Sequence, residues 1–456
     1  MKIYIVLILL SIFPVLVFAQ QTDDDPFKRD PFFNKSLDEF FGSSIDDEED
    51  EPQKTESADV LTRLSNRGID LSGGFEAGPY YSNPLYSQFP NLSALHFNRV
   101  NGLFFGIKRE RMQWYRSHDF LGIPRFQPHG YIGYGTASKE WEYAAGLERL
   151  FGHKKRLMIG AEFHKATATE DYWRAGLIET SLTSLVAGYD YLDYYKMEGY
   201  GAYAVYRSNR WLEAALSYNS DTYNSAGLNT RYSLFGFADT YRPNPPVDSF
   251  SDEIDLDRFN MSFSFNPRRV LLANQFTFSA SAGAELADNP GSDDAYRYNK
   301  FWSDLYLFYN FEPGSVLNWR IKTGSITGNA PDFKQFYTGG IGSLRGSPYK
   351  VFSGNQMVLS NLEVQFGSPS KNNGSWYREY NIHLLLFLDS AWTNFASDLT
   401  EEGASPFSGS ENFSFSDFQH DAGFGLGTDA FRFEVAWPLK TFDSRPMLWL
   451  RLNPTF

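Results

Sequence analysis

The sequence predicts an all-β chain, a single transmembrane antiparallel β-barrel of about sixteen strands. Three observations carry this. From about residue 92 onward the chain runs in segments of roughly ten residues in which apolar and polar side chains alternate, separated by Gly, Asn, Asp, Pro and Ser; this is the pattern of strands with one face to lipid and one to a polar lumen. Aromatic residues make up 18% of the chain, with 28 Tyr and 42 Phe, which exceeds the need of a soluble core and suits girdles at two membrane interfaces. An apolar run at the N-terminus directs export, and no later stretch of about 18 apolar residues offers a membrane-crossing helix. The mean hydropathy of −0.40 does not oppose membrane residence, because the lumen face of a barrel is polar.

Taken in chain order, residues 1–20 read as a secretory signal peptide. Lys2 precedes the apolar run 3–19, and Ala19-Gln20-Gln21 supplies a small-residue exit; a retained anchor helix is the alternative. Residues 21–65 form an acidic, largely disordered tail. Residues 22–60 hold 14 acidic and 4 basic side chains, a net of −10, and Lys2 adds +1, so the total of −14 leaves −5 for residues 61–456. The run Asp46-Asp47-Glu48-Glu49-Asp50-Glu51 repels itself. The segments Asp30-Pro-Phe-Phe and Leu37-Asp-Glu-Phe-Phe41 are apolar enough to dock on something, though a plain linker explains them as well. Residues 66–456 are assigned to the barrel.

Strand starts are expected near 93, 128, 141, 156, 194, 210, 254, 274, 300, 315, 332, 355, 381, 418, 429 and 447. The loops near 107–127, 166–193, 222–252 and 392–417 are long and belong outside, while short links such as Gly152-His153-Lys154-Lys155 suit the periplasmic side. The loops at 166–193 and 222–252 follow even-numbered strands in this count and land on the wrong side. One early strand is therefore missed and one later start doubled. Parity places Phe431, Phe433, Val435 and Trp437 toward lipid and Arg432, Glu434 and Ala436 inside. It likewise turns Val358, Leu362, Val364 and Phe366 outward, opposite Asn361, Glu363 and Gln365, and sets Asp389 with His383, Leu385 and Phe387 against Ile382, Leu384, Leu386 and Leu388.

The most distinctive stretch is 332–366, DFKQFYTGGIGSLRGSPYKVFSGNQMVLSNLEVQF. Two alternating runs flank a loop in which Arg345 is set among glycines at 339, 340, 342 and 346. Glycine permits tight turns and close approach of backbones, and a guanidinium leaving water needs carboxylate partners. Such a loop is built to fold inward. The segment resembles the inward-folded loop of the bacterial surface antigen superfamily of BamA, TamA and FhaC type, whose members carry an Arg-Gly motif there. Asn361-Leu-Glu363 is similar to the acidic strand that follows in that superfamily, and Phe387-Leu-Asp389-Ser-Ala to its next aspartate-bearing strand. The resemblance implies a loop between strands 11 and 12 with Gly340, Leu344, Arg345 and Gly346 as its motif, and Glu363 and Asp389 as lumen-wall partners of Arg345. Ser347 and Pro348 depart from the pattern, in which an aromatic follows the Arg-Gly pair. Glycines at 423, 425 and 427 on one face would leave room for the loop backbone beside the wall. The last segment places Leu448, Leu450, Leu452 and terminal Phe456 on one face, which resembles the signal by which outer-membrane clients are recognised for assembly. Pro454 lacks an amide hydrogen and suits a weak seam between first and last strands.

Other chemistries are thinly represented. The chain has no Cys, which excludes disulfides and a lipidated N-terminal cysteine. Its 7 His show no metal-ligand spacing, so neither a metal nor another cofactor is expected. No nucleophile elbow is present, so an enzyme is not expected, with an outer-membrane hydrolase kept as a minor alternative. No phosphate-cradling loop or nucleic-acid stripe occurs. Lys108-Arg109-Glu110-Arg111 and Lys154-Lys155-Arg156 are small basic clusters that either meet lipopolysaccharide phosphates or stay solvated. The space before the barrel is too short and too acidic for the superfamily's periplasmic modules of about 70 residues. The resemblance thus implies a short, barrel-only member in the bacterial outer membrane, among lipid and lipopolysaccharide. Its role would be protein translocation or membrane insertion, acting on a polypeptide client with a separate periplasmic or lipoprotein partner. A structural or scaffold barrel without transport activity is the alternative.

Overall fold

The computed structural model describes residues 69–70 and 95–452 with breaks, the longer ones at 112–122, 236–240, 268–275, 291–295 and 368–381. The expected signal segment, the acidic tail, Pro454 and Phe456 lie outside the described residues. Within them the chain forms one large antiparallel sheet of sixteen principal strands: β1 (Leu95–Asn98), β2 (Gly102–Arg109), β3 (Phe126–Gly135), β4 (Trp141–Phe151), β5 (Leu157–Ala168), β6 (Tyr195–Arg207), β7 (Leu212–Ser225), β8 (Glu253–Phe265), β9 (Phe276–Asp288), β10 (Arg297–Glu312), β11 (Ser315–Asn329), β12 (Gln356–Phe366), β13 (His383–Asn394), β14 (Gln419–Gly427), β15 (Phe431–Pro438) and β16 (Met447–Leu452). Each pairs with the next in an unbroken meander from β1 to β16. Residues Ile69–Asp70 pair with Lys108 and Arg109 and lengthen the edge that β1 begins.

Alternation fixes which way each strand faces. In β2, Leu103, Phe105 and Ile107 are exposed while Phe104 is fully buried. In β15 the odd residues Phe431 and Phe433 are exposed, while Arg432, Glu434 and Ala436 are buried. In β13, Leu384, Leu386 and Leu388 face outward and His383, Leu385, Phe387 and Asp389 inward. The exposed face is thus apolar and the buried face carries the charges, the reverse of a soluble protein and the arrangement of a membrane barrel. Inside, charges are paired: Arg320 with Asp304 at 2.7 Å, Arg258 with Asp221 at 2.5 Å, and His164 with the other oxygen of Asp221 at 3.0 Å. Pairing is what makes them tolerable away from water.

The structure revises the expected strand list at two places. The first expected segment is two strands, β1 and β2, joined by a tight turn in which the Asn98 side-chain oxygen accepts from the amides of Val100 (2.9 Å) and Asn101 (2.7 Å), and Gly102 takes φ 65. The segment from 332 is not a wall strand; it opens the connection 330–355, whose only ladder pairs Phe336–Thr338 with Phe352–Gly354. With these changes the long connections 169–194, 226–252, 330–355 and 395–418 all leave from one side. The connection 107–127, expected outside, belongs to the opposite side together with 152–156. Lys108 is buried in β2, so it is not available to lipid phosphates. The connection 169–194 also holds a helix that the all-β reading did not contain, α1 (Leu177–Ala187).

Candidate functional site

Connection 330–355 folds into the lumen and docks on the wall formed by β12 to β16. Its turn is built on backbone: the Gly340 amide donates to the carbonyls of Leu344 (2.8 Å) and Ser347 (3.1 Å). Gly340 has φ 80, a conformation in which a side chain is strained, and a Cβ there would meet Tyr349 at 2.9 Å. Leu344 is fully buried in a cluster with Tyr223, Phe336, Met357 and Leu359. Gly346 lies flat on the wall, where a Cβ would come within 2.4 Å of the Trp437 carbonyl carbon. Any larger residue would lift the loop off β15.

That docking delivers Arg345 to a set of three carboxylates. Its Nε and one terminal nitrogen donate to the two oxygens of Asp389 at 2.7 and 2.8 Å, the two-pronged geometry that a guanidinium matches best. The other terminal nitrogen donates to Glu363 at 2.6 Å and Glu434 at 3.2 Å. The Arg345 amide also donates to Asp389 (3.2 Å), and the Phe387 ring lies under the guanidinium at 3.6 Å. The Asn361 side-chain amide bridges Asp389 and the Ser343 carbonyl, both at 2.8 Å. Arg432 pairs with Glu363 (3.5 Å) and Glu434 (2.5 Å). Two oxygens of Asp421 take the Gly346 amide (2.7 Å) and the Ser347 hydroxyl (3.1 Å). Every member of the cluster is buried, so each charge depends on its partner.

A second clamp holds the far end of the loop. The Tyr349 hydroxyl donates to Asp171 at 3.0 Å, and Lys350 pairs with Asp171 at 2.6 Å and Asp193 at 2.9 Å. Burial pushes the Asp171 carboxyl up, but Lys350 and Arg174 outweigh it and hold its pKa at about 2. A carboxyl lowered in the folded state stabilises it above the ordinary carboxylate range, and that contribution is lost as pH falls through the lowered value. Asp171→Asn is therefore expected to be less stable than the parent at neutral pH. The gap should close between about pH 4 and pH 2. Acid titrations of heat-modifiable gel mobility for both proteins check this.

The two ends of the sheet meet at α1. Ser181 of the helix accepts the Phe97 amide of β1 at 2.6 Å, while Glu179 accepts the Leu452 amide of β16 at 3.0 Å and pairs with Arg451 at 2.7 Å. Among the described residues no ladder register joins β16 back to β1. Trp449 of β16 links this seam to the clamp, because its indole nitrogen donates to the Arg345 carbonyl at 2.7 Å.

No protein-family model and no curated protein matches this chain. Among solved structures it is similar to BamA from Haemophilus ducreyi lacking POTRA domains 1-3, at 15% identity over 78% of this chain and 69% of that one, with a TM-score of 0.47. It is also similar to CdiB from Escherichia coli, at 10% identity over 78% and 60% with a TM-score of 0.43, and to CdiB from Acinetobacter baumannii, at 10% over 75% and 54% with a TM-score of 0.37. The chain spans less than two thirds of either CdiB protein.

The structure brings Arg345, Glu363 and Asp389 together, with Gly340, Leu344 and Gly346 forming the turn that presents the arginine. The sequence reading did not single out Glu434, Asp421 and Trp449 as its neighbours. Inward parity marked Glu434, but nothing local tied it to residue 345. The glycines of β14 do not cradle the loop directly. Gly423 instead gives space to the Phe387 ring, 2.4 Å from where a Cβ would stand, and Gly425 and Gly427 lie against β15. At the position after Arg345-Gly346, Ser347 donates its hydroxyl to Asp421, and Tyr349 packs against the cluster that holds Ile341, Tyr191 and Trp449. Leu448 and Leu450 face outward on β16, and Leu452 is the last described residue of that strand. Among the described residues no group of three or more His, Cys, Asp or Glu side chains is arranged to hold a metal ion.

Proposed function

We propose that this chain is an outer-membrane β-barrel that assists polypeptide translocation or membrane insertion, working at a loosened seam between β1 and β16. The observation that carries the reading is the seam. The two end strands span only 4 and 6 described residues, and edge amides of both are satisfied by helix side chains instead of a facing strand. An edge held this way can template an incoming strand once those side chains leave. The clamped loop supports the reading by filling the lumen and, through Trp449, bracing β16 from inside. Recognition of the client would fall to a separate periplasmic or lipoprotein partner.

The test exploits the absence of Cys. Cysteine pairs are scanned along residues 95–98 and 447–452, the full chain is returned to its host, and outer-membrane protein content is compared before and after oxidation. A translocation or insertion barrel loses activity when a disulfide ties the seam and regains it on reduction. Activity indifferent to the tie identifies a scaffold barrel instead.

A further inference from the structure

From the geometry of α1 we infer a displaceable stopper that occupies the strand-pairing edge of β1, competing with an extended polypeptide for the same backbone amide. The inference rests on the seam reading above and names what guards it.

The edge assignment follows from the ladder. Phe97 faces Leu103 across β1 and β2, yet the Leu103 carbonyl accepts from Thr136 on the far side of β2, at 3.0 Å. Leu103 and Phe97 are therefore a non-hydrogen-bonded pair, and the Phe97 amide points away from β2, into the seam. Ser181 takes that amide, as a carbonyl of a neighbouring strand otherwise would. Glu179, two residues earlier, does the same for Leu452 at the opposite edge and holds Arg451. One helix thus caps both lips of the seam with side-chain oxygens.

The faces of the helix agree with a place in the wall. Glu179, Thr180, Thr183 and Ser184 are buried, while Leu182 is 40% exposed. A helix on a soluble surface buries its apolar stripe. One that replaces a strand between lipid and a polar lumen shows the opposite order. The helix spans 11 residues, about 16 Å. Gly188, at φ 74, ends the helix, and the Leu185 and Val186 carbonyls of its last turn accept from the amides of Leu234 (2.8 Å) and Phe235 (3.3 Å). The C-terminal end is thus anchored, and the first turns, with Glu179 and Ser181, swing from Gly176.

A single protein tests the stopper in two states. The Ser181 hydroxyl is 2.6 Å from the Phe97 amide, which places their Cα atoms no more than about 6.5 Å apart, within disulfide range. The full chain carrying Phe97→Cys and Ser181→Cys is locked when oxidised and loosened when reduced. It is reconstituted in liposomes and exposed to a photo-crosslinkable peptide with the sequence of residues 447–456, with a scrambled peptide as background. Heat-modifiable mobility confirms that both states stay folded. The expected result is at least a tenfold higher crosslink yield at β1 in the reduced than in the oxidised state, and a several-fold gain for Glu179→Gln alone over the parent. Equal yields in the two states would overturn the stopper while leaving the seam able to pair strands. Crosslinking in neither state nor in Glu179→Gln would overturn the stopper and the seam reading together.

Discussion

Arg345→Ala releases the lumen loop and raises single-channel conductance in planar bilayers. The expectation follows from the number of contacts that end on one side chain. Asp389 loses both of its guanidinium bonds, Glu363 its 2.6 Å bond and Glu434 its 3.2 Å bond. Three buried carboxylates then face one another, with Arg432 paired to Glu363 and Glu434 and none of the Asp389 guanidinium bonds left. Leaving one charge of a buried pair unpaired costs about 3–5 kcal/mol, and here several are left at once. The cheapest relief is for water to enter and the loop to leave, which widens the lumen. Arg345→Lys rescues only in part, because an ammonium cannot engage Asp389 by two parallel bonds. Unchanged conductance together with unchanged heat-modifiable mobility would remove the clamp from the account.

Asp389→Ala is the second large effect, and its combination with Arg345→Ala is the more informative experiment. Asp389 accepts from the side chain and the amide of Arg345 and from Asn361. Removing it alone strands a guanidinium against the Phe387 ring with Glu363 and Glu434 as its remaining partners. Removing both ends of the pair takes away the Asp389 charge that Arg345→Ala leaves unpaired, so that of the three carboxylates Glu363 and Glu434 remain, beside Arg432. Each single variant is expected to lose about 3–5 kcal/mol of stability, and the double variant well short of their sum, with a coupling on the order of 2–3 kcal/mol. Urea unfolding in lipid vesicles measures all four corners of the cycle. Additive losses would mean that the two residues brace the wall independently.

The sequence revealed the wall more readily than what closes it. Alternation located most strands, because a one-residue slip would turn every side chain to the wrong medium. It failed at β1 and β2, where the three-residue turn Arg99-Val100-Asn101 follows a strand of only 4 residues, too short to show a period of its own. It also counted residues 332 onward as wall, since 336–338 alternate like a strand but pair only within their own loop. Helix α1 was hidden for a physical reason: its buried face is polar, so a search for apolar stripes passes over it. Arg345, Glu363 and Asp389 were legible from local chemistry and from the resemblance of the loop. Trp449 was not, because it meets the Arg345 carbonyl across 104 residues of chain, and only the successive pairing of β12 to β16 brings them together.

The central claim is that connection 330–355 lies packed inside the barrel, held there by Arg345. Leu344 is fully buried and Phe250, on a neighbouring connection, is 97% exposed, so cysteines at these two positions report on the loop with an internal reference. Labelling intact cells with a membrane-impermeant maleimide should leave Leu344→Cys unmodified while Phe250→Cys reacts fully, and adding Arg345→Ala should make Leu344→Cys reactive. Labelling of Leu344→Cys as fast as Phe250→Cys with Arg345 in place would contradict the account.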